Sequence, residues 1–478
     1  MRRTRRVTRW SAVAVAAVVA SVTAGVGSVP ASFAQARPAP VQQAPALFGA
    51  QPISGSDRVY TADQTSNTVT VIDPKKRKVL GTLALGDQRL GGVLGPQYLR
   101  DVDVHGLGFS RDGRYLNVVS VTSNTVTVVR TNDNKVISRT SVGRAAHEGF
   151  FAPDGRTVWV ANRALRRLDI VDALRGGVVG SVATADGPSK VLFSPNGRWA
   201  YVNHLRSASI DVIDVAKRRV VTRVTGLAAP FSSDMALSPN GKDLWAGHKQ
   251  AGTVSVIDLM SKRVTQVLTT GPNTNHPIFV SGKGTSFVWL TVGGENLTKV
   301  YQRLPGRIKL VATVPSSGKE PHGIWPSPDN STVYVVNEKS DSVDVISTAT
   351  NSVVDTLRTG QEGQALVYVA GAVTSGTGVQ HLRRQGLGLR VQNTQAVVEQ
   401  SPGTAAVTVR QVAGTDMVQV EAKGLTPKTT YTAYGRRDGK LVPLLSFRSN
   451  EKGGVPQALA FVRFFGIYDV DDITVRLA

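Results

Sequence analysis

Residues Ala146–Asn162 read AHEGFFAPDGRTVWVAN, and Pro321–Asn337 return much of that pattern as PHGIWPSPDNSTVYVVN. Each run places a histidine two residues before an apolar stretch, then a turn, then a W/Y-V-x-N strand. The same strand opens at Tyr60, Asn117, Trp159, Tyr201, Trp245, Trp289 and Tyr334, with spacings of 57, 42, 42, 44, 44 and 45 residues. Thirteen residues after each opener a second period-2 alternation ends, as in VTVID, LDIVD, IDVID and VSVID. Self-similarity at this period in an all-β pattern predicts a propeller. Each unit resolves into four strands, a to d, with SPNG- and APDG-type turns between a and b that suit tight hairpins. The aspartates ending strand c are read as turn-forming residues.

The first unit lacks a strand a, and Gln364–Ala372 (QALVYVAGA) has that pattern with nothing behind it. It should complete blade 1 and close the ring, leaving no exposed sheet edge. The long first step is assigned to an insertion around Gly91–Val104. The fold class expected is therefore all-β: a seven-bladed propeller over residues 55–373, then a linker over 374–385 and a β-sandwich over 386–478. The last segment still alternates in seven short runs. Its LTPKTTY (Leu425–Tyr431) resembles the tyrosine corner of fibronectin-III-like domains, where the hydroxyl bonds back to the chain.

The repeats resemble the YVTN-type bacterial propeller family, on VYTA (59–62), WVAN (159–162), YVNH (201–204) and YVVN (334–337). More distantly similar are the propellers of nitrous oxide reductase and haem-d1 nitrite reductase, where histidines on one face bind the cofactor. A lactonase group shares the fold. This likeness implies a fold and not a reaction. The cysteine-bearing cupredoxin of the copper enzyme is absent, so nitrous oxide reduction is not implied.

Met1–Trp10 holds five arginines, Ser11–Val29 is uncharged and Ala/Val-rich, and Ala34-Gln35-Ala36 offers a cleavage site. This order predicts a signal peptide over 1–36, followed by a Pro-rich tether over 37–54. The alternative is an uncleaved anchor. The protein is expected to be secreted or extracytoplasmic (periplasm or cell surface), with no transmembrane span once the leader is cleaved. Without cysteine the fold cannot depend on disulfides, and thiolate metal sites and cysteine nucleophiles are excluded. The formal charge of +22 becomes +17 without the leader arginines. Such a charge favours anionic cell-envelope polymers or surface partners; nucleic acid is not expected.

Alternating strands put the start of a and the end of b at one rim, here called the top. His105, His147, His276 and His322 stand at the start of strand a, and His204 and His248 at the end of strand b. Six imidazoles should then ring a top funnel, with Glu148 and Glu320 beside them and Asp234 near. His105, His147, His276 and His322 are candidate ligands for a transition metal (Cu, Zn, Fe or Ni), or a polar lining for a small molecule. The opposite face carries basic c–d turns: Lys75, Lys76 and Arg77; Lys217, Arg218 and Arg219; Lys262 and Arg263. These suggest a polyanion-binding surface. No nucleophile elbow, Walker loop or HExxH is present, and no catalytic residue is assigned. The expected function is an exported or cell-surface binding or interaction protein, with its ligand at the His-rich top of the channel. The alternative is a metal-dependent oxidoreductase or lactonase-like hydrolase using the same cluster.

Overall fold

The computed structural model describes residues 50–86, 101–282, 285–412, 415–463 and 468–478. The leader, most of the tether and residues 91–100 of the insertion lie outside these segments. All described residues belong to one compact unit that begins at Ala39.

Val, Ile and Thr dominate strands such as Thr68–Asp73 and Thr253–Asp258. Their branched side chains are stiff and pack well on a pleated surface. They build seven four-stranded antiparallel sheets, the blades of a propeller. Blade 1 is completed as expected: Gly363–Val369 is its inner strand and pairs with Arg58–Asp63. Middle strands such as Thr157–Asn162 are buried along their whole length, because neighbouring blades pack on both faces. The outermost strand alternates instead, as in Ser352–Arg358, where one face meets solvent. Aromatic pairs join blades edge to face, with ring centroids 5.4 Å apart for Trp159 and Phe193.

The turns follow the expected chemistry. The carboxylates ending strand c accept backbone N–H bonds: Asp73 from Lys76 at 3.0 Å, Asp172 from Arg175 at 2.9 Å, and Asp214 from Lys217 at 2.9 Å. They act as Asx turn residues.

The segment expected as a linker is a bonded strap on the propeller. The backbone N–H of Thr374 donates to Asn132 Oδ1 at 2.8 Å, at the bottom rim. Arg383 exchanges backbone bonds with Thr82 at 2.7 and 2.9 Å, and Gln385 Nε2 donates to Gly86 O at 2.7 Å. The chain thus climbs blade 1 to the top face before the C-terminal domain begins.

That domain has the seven expected strands. The sandwich takes the form of one continuous, nearly closed sheet, ordered Lys440–Arg448, Thr430–Arg437, Asp469–Leu477, Val391–Val398, Thr404–Val412, Thr415–Lys423, Val455–Arg463. Val391–Val398 joins the two layers: its first part pairs antiparallel with Thr404–Val412, and Val397 and Val398 pair parallel with Asp469–Leu477. The tyrosine corner is present, with Tyr431 Oη accepting from Thr426 N at 3.1 Å.

The sheet docks on the top face through a buried ionic knot. Arg410 is 0% exposed; it approaches Asp341 at 3.4 Å and Glu362 at 3.9 Å, and donates to Glu338 O at 2.7 Å. Lys339 bridges Glu320 at 2.8 Å and Glu421 of the sheet at 2.6 Å. Between sheet and propeller lies a cleft of about 730 Å³, lined by Asn296, Lys319, Glu320, Asn393, Thr408 and Glu421 among others. Its size is that of a small-molecule site.

Candidate functional site

The channel mouth is built by the first residues of the inner strands, and there the ladders are irregular. Register shifts fall between Val104 and Gly106, Ala146 and Gly149, Pro188 and Val191, Thr274 and Pro277, and Pro321 and Ile324. Bulges re-aim side chains. Here they occur at the same point of five blades and surround His105, His147–Glu148, Ser189–Lys190, His276 and His322. Two of these histidines are followed by glycine because the inner strands converge. A Cβ at Gly106 would lie 2.2 Å from His147 O, and one at Gly323 would lie 2.6 Å from Gln364 O.

The four inner-strand histidines form two ring pairs. His105 and His147 have centroids 4.3 Å apart, and His276 and His322 are 4.7 Å apart. His147 Nδ1 lies 3.0 Å from Ser189 O, and His322 Nδ1 lies 2.8 Å from Gln364 O. A carbonyl can only accept, so both rings carry their proton on Nδ1 and keep an unprotonated Nε2. Burial, followed by the nearby Arg163, holds the pKa of His105 and His147 well below the ordinary imidazole value. Burial and the neighbouring His322 do the same for His276. Burial and Lys249 bring His322 down to about 3. All four are neutral bases at physiological pH.

Beside them sits a charged cluster that sequence reading missed in part. Lys190 Nζ lies 2.7 Å from Asp234 Oδ2 and 3.1 Å from Glu148 Oε2, and its side chain is 9% exposed. His276 Nδ1 is 3.3 Å from the same Asp234 oxygen. Burial pushes Asp234 up to about 7, against the pull of Lys190. Burial lowers Lys190, but the two carboxylates outweigh it and raise its pKa. A signal was present in the sequence: Glu148, Lys190 and Asp234 each follow the histidine position in three consecutive blades, in alternating charge. In blades 2, 6 and 7 that position holds Gly106, Pro277 and Gly323.

On the other side of the mouth, Glu320 meets Lys249 at 3.4 Å and Lys339 at 2.8 Å. Burial alone would raise it, yet these two ammonium groups bring it to about 2. Glu338, 3.9 Å from His322 Nε2, is pushed up to about 8 by burial and by Glu320. Arg163 Nη2 donates to Ser189 Oγ at 2.9 Å. Four buried atoms at this mouth have no hydrogen-bond partner among the described residues: His105 Nδ1, Glu148 Oε1, Asp234 Oδ1 and Glu338 Oε2. The free space at the cluster is about 20 Å³, room for roughly one water, lined by Glu148, Lys190, Asp234 and His276 together with apolar side chains such as Leu107, Leu192 and Ile324.

Two expectations need correcting. His204 and His248 do not ring the funnel. His204 Nδ1 bonds Ser209 O at 2.9 Å and its Nε2 lies 3.5 Å from Asp211, while His248 Nε2 lies 2.9 Å from Ser255 Oγ. Both face strand c of their own blade, because successive strand residues point to opposite faces. Nor do His105, His147, His276 and His322 converge on one metal position. Among the described residues, the group of three whose donor atoms lie within 4.8 Å of one another is Glu148, Asp234 and His276. That set does not fit a resident cation as it stands, since the Lys190 ammonium already lies on both carboxylates. The basic turns are placed as expected: Lys75, Lys76, Arg77, Lys217, Arg218, Arg219, Lys262 and Arg263 are all exposed on the opposite rim.

Fold and site together define a seven-bladed propeller with a histidine-lined cup under an accessory sheet. Residues 138–370 match the family model described as lactonase, 7-bladed beta-propeller. No curated protein matches the chain. Among solved structures, hydrazine synthase of Kuenenia stuttgartiensis is similar at 21% identity and a TM-score of 0.52, covering 68% of this chain and 99% of that one. The periplasmic gluconolactonase PpgL of Pseudomonas aeruginosa is similar at 17% identity and a TM-score of 0.52, covering 66% and 99%. A functionally unknown protein of Desulfotomaculum acetoxidans gives 10% identity and a TM-score of 0.54, covering 65% and 98%. At these identities the likeness is one of fold, and the expected seven-bladed propeller is shown. Among the described residues, no helix is long and apolar enough to cross a membrane.

Proposed function

We propose that this protein is an extracytoplasmic binding propeller whose histidine-lined mouth, together with the cleft of about 730 Å³ that adjoins it at Glu320 and Lys339, takes a small, hydroxyl-rich anion such as a sugar acid. The observation that carries this reading is the cluster at the mouth, where neutral histidines stand beside cations and unpartnered acceptors. The Nε2 atoms of His147 and His322 accept hydroxyl protons, as do the free oxygens of Glu148 and Asp234. Arg163 supplies a fork for a carboxylate. Four cations (Arg163, Lys190, Lys249, Lys339) face Glu148, Asp234, Glu320 and, on Lys339, Glu421, while Glu338 is mostly protonated below about pH 8. The two signs balance, and Arg163, which has no ion-pair partner among the described residues and donates to Ser189 Oγ, is the cation left for an anionic ligand. Calorimetry with gluconate and glucuronate should show saturable binding that weakens at least tenfold in His147→Ala and in Arg163→Met. No binding of any sugar acid by the intact protein would sink the reading.

The family match favours a second reading, hydrolysis of a sugar lactone in the same cup. His147 or His322 Nε2 takes a proton from water as the water oxygen attacks the ring carbonyl carbon. The ring ester C–O bond then breaks, and the proton passes to the departing alkoxide. Arg163 is placed to stabilise the oxyanion. Acid release from glucono-1,5-lactone, measured above the spontaneous rate, tests it. If His147→Ala and His322→Ala each leave that rate unchanged, the cup binds and does not turn over. Export rests on the leader, and protein recovered from the medium should begin at Arg37.

A further inference from the structure

The c–d turns of six blades share one geometry, and its strained position is filled in an uneven way. The fourth residue after the end of strand c is left-handed in each: Arg77 (φ 50°), Asn134 (61°), Gly176 (75°), Arg218 (50°), Lys262 (56°) and Asn351 (50°). Glycine adopts this conformation freely, and asparagine is tolerated because its short side chain bonds locally. Blades 2, 3 and 7 use them. Blades 1, 4 and 5 instead hold arginine or lysine against the backbone preference. Among the described residues none of Arg77, Arg218 and Lys262 has an ion-pair partner, and all are exposed, although the Arg218 guanidinium lies along Gly180 of blade 3. A strained position that holds an unpaired, exposed cation in three blades points outward, to something the side chain meets.

The tips of the neighbouring turns say what kind of partner. The third residue of the turn is Leu174, Ala216 and Met260 in blades 3, 4 and 5. Leu174 is 45% exposed and Met260 is 74% exposed. Each is followed within three residues by Arg175, by Lys217–Arg219, or by Lys262–Arg263. Apolar tips flanked by cations suit the boundary between acyl chains and anionic headgroups. A soluble polyanion would leave Met260 and Leu174 in water. The basic turns of blades 1, 4 and 5 also stand at different points around one disc, and only an extended surface meets all of them at once.

We propose that the bottom face docks on an anionic lipid surface, with Arg77, Arg218 and Lys262 on headgroups and Leu174 and Met260 inserted. The cup then faces away from that surface. The test uses the chain from Arg37 onward, which holds the whole described fold and lacks the apolar leader. It should sediment with vesicles of phosphatidylcholine and phosphatidylglycerol at low salt, and not with pure phosphatidylcholine. The triple variant Arg77→Asn, Arg218→Asn, Lys262→Asn should bind at least tenfold more weakly while melting at the same or a higher temperature. Met260→Ser with Leu174→Ser should weaken vesicle binding severalfold and leave binding to soluble polyphosphate unchanged. Absence of sedimentation with the anionic vesicles, or full binding by the triple variant, would overturn the proposal. Vesicle binding indifferent to Met260 and Leu174 would also overturn it, and assign the face to a soluble polyanion.

Discussion

The inner-strand histidines and the strand-b histidines have the same chemistry and the same rim, yet they do different work. His147 and His322 reach the channel from bulged inner strands, hand one nitrogen to a neighbouring carbonyl and keep the other free. His204 and His248 stand on regular strands one layer out, where a blade interior surrounds them and a hydroxyl, carbonyl or carboxylate of strand c takes their bonds. Residue type at a rim is thus not enough to define a site. The strand's place in the blade, and a bulge that breaks its alternation, decide whether a side chain meets a ligand or its own sheet.

The sharpest break of that contrast is at Lys190, which joins the channel floor to the fold's stability. It neutralises Glu148 and Asp234 at 3.1 and 2.7 Å in a buried setting. Lys190→Met leaves two carboxylates facing each other without water, and removing one partner of such a cluster costs about 3–5 kcal/mol. Chemical denaturation should record that loss. Adding Glu148→Gln and Asp234→Asn to Lys190→Met should recover most of it, because no buried charge then remains unpaired. If Lys190→Met alone is neutral, water reaches the two carboxylates.

His248, inside its blade, should shape the acid limb of stability. Burial holds His248 down to about 4, against an ordinary 6.5. Between these values the unfolded chain binds a proton that the folded chain does not, so stability falls as pH falls through this window. Each pH unit costs about 1.4 kcal/mol, or about 3 kcal/mol across it. His105, His147, His276 and His322 act in the same direction. Asp63 and Asp234, both raised to about 7 by burial, act the other way and lose their contribution as pH rises toward that value. Comparing the protein with His248→Gln isolates one group, since glutamine can keep the bond to Ser255. Melting temperature should fall less steeply from pH 6.5 to 4 in the variant; parallel curves would mean that His248 is not held neutral.

Much of this was legible because a repeat states each fact several times. Seven openers at near-constant spacing gave the blades, the stray Gln364–Ala372 closed the ring, and the Asx turns and the tyrosine corner followed from local chemistry. The four inner histidines were legible as channel-facing for the same reason. Glu148 and Asp234 were legible beside them, but Lys190 was not, since a period-2 reading gives one residue of each strand to the channel and assigns the next to the blade. The bulges at Pro188–Val191 and Ala146–Gly149 bring consecutive residues into one site. The strap over 374–385 was read as a linker because its bonds run mainly from its backbone and Gln385 to residues remote in sequence, such as Thr82 and Gly86. Arg410 was equally invisible, as nothing local marks an arginine that will be buried against Asp341 and Glu362.

The smallest effect tests the comparison most directly. His204→Ala removes the partner of Ser209 O and Asp211 in a fully buried place, while Arg223 still pairs with Asp211 at 2.6 Å. An unsatisfied buried carbonyl and a small cavity together cost about 2 kcal/mol. Ligand affinity in the cup should not change, because the inner strand Pro188–Phe193 separates His204 from it. His147 is buried too, so His147→Ala should also lose stability, but its Nε2 is the free one and binding should weaken at least tenfold. Measured side by side, denaturation and calorimetry should show both alanine variants destabilised and only His147→Ala impaired in binding. Equal effects on affinity would place both histidines in one functional ring and return the site to the six-histidine funnel that the sequence suggests.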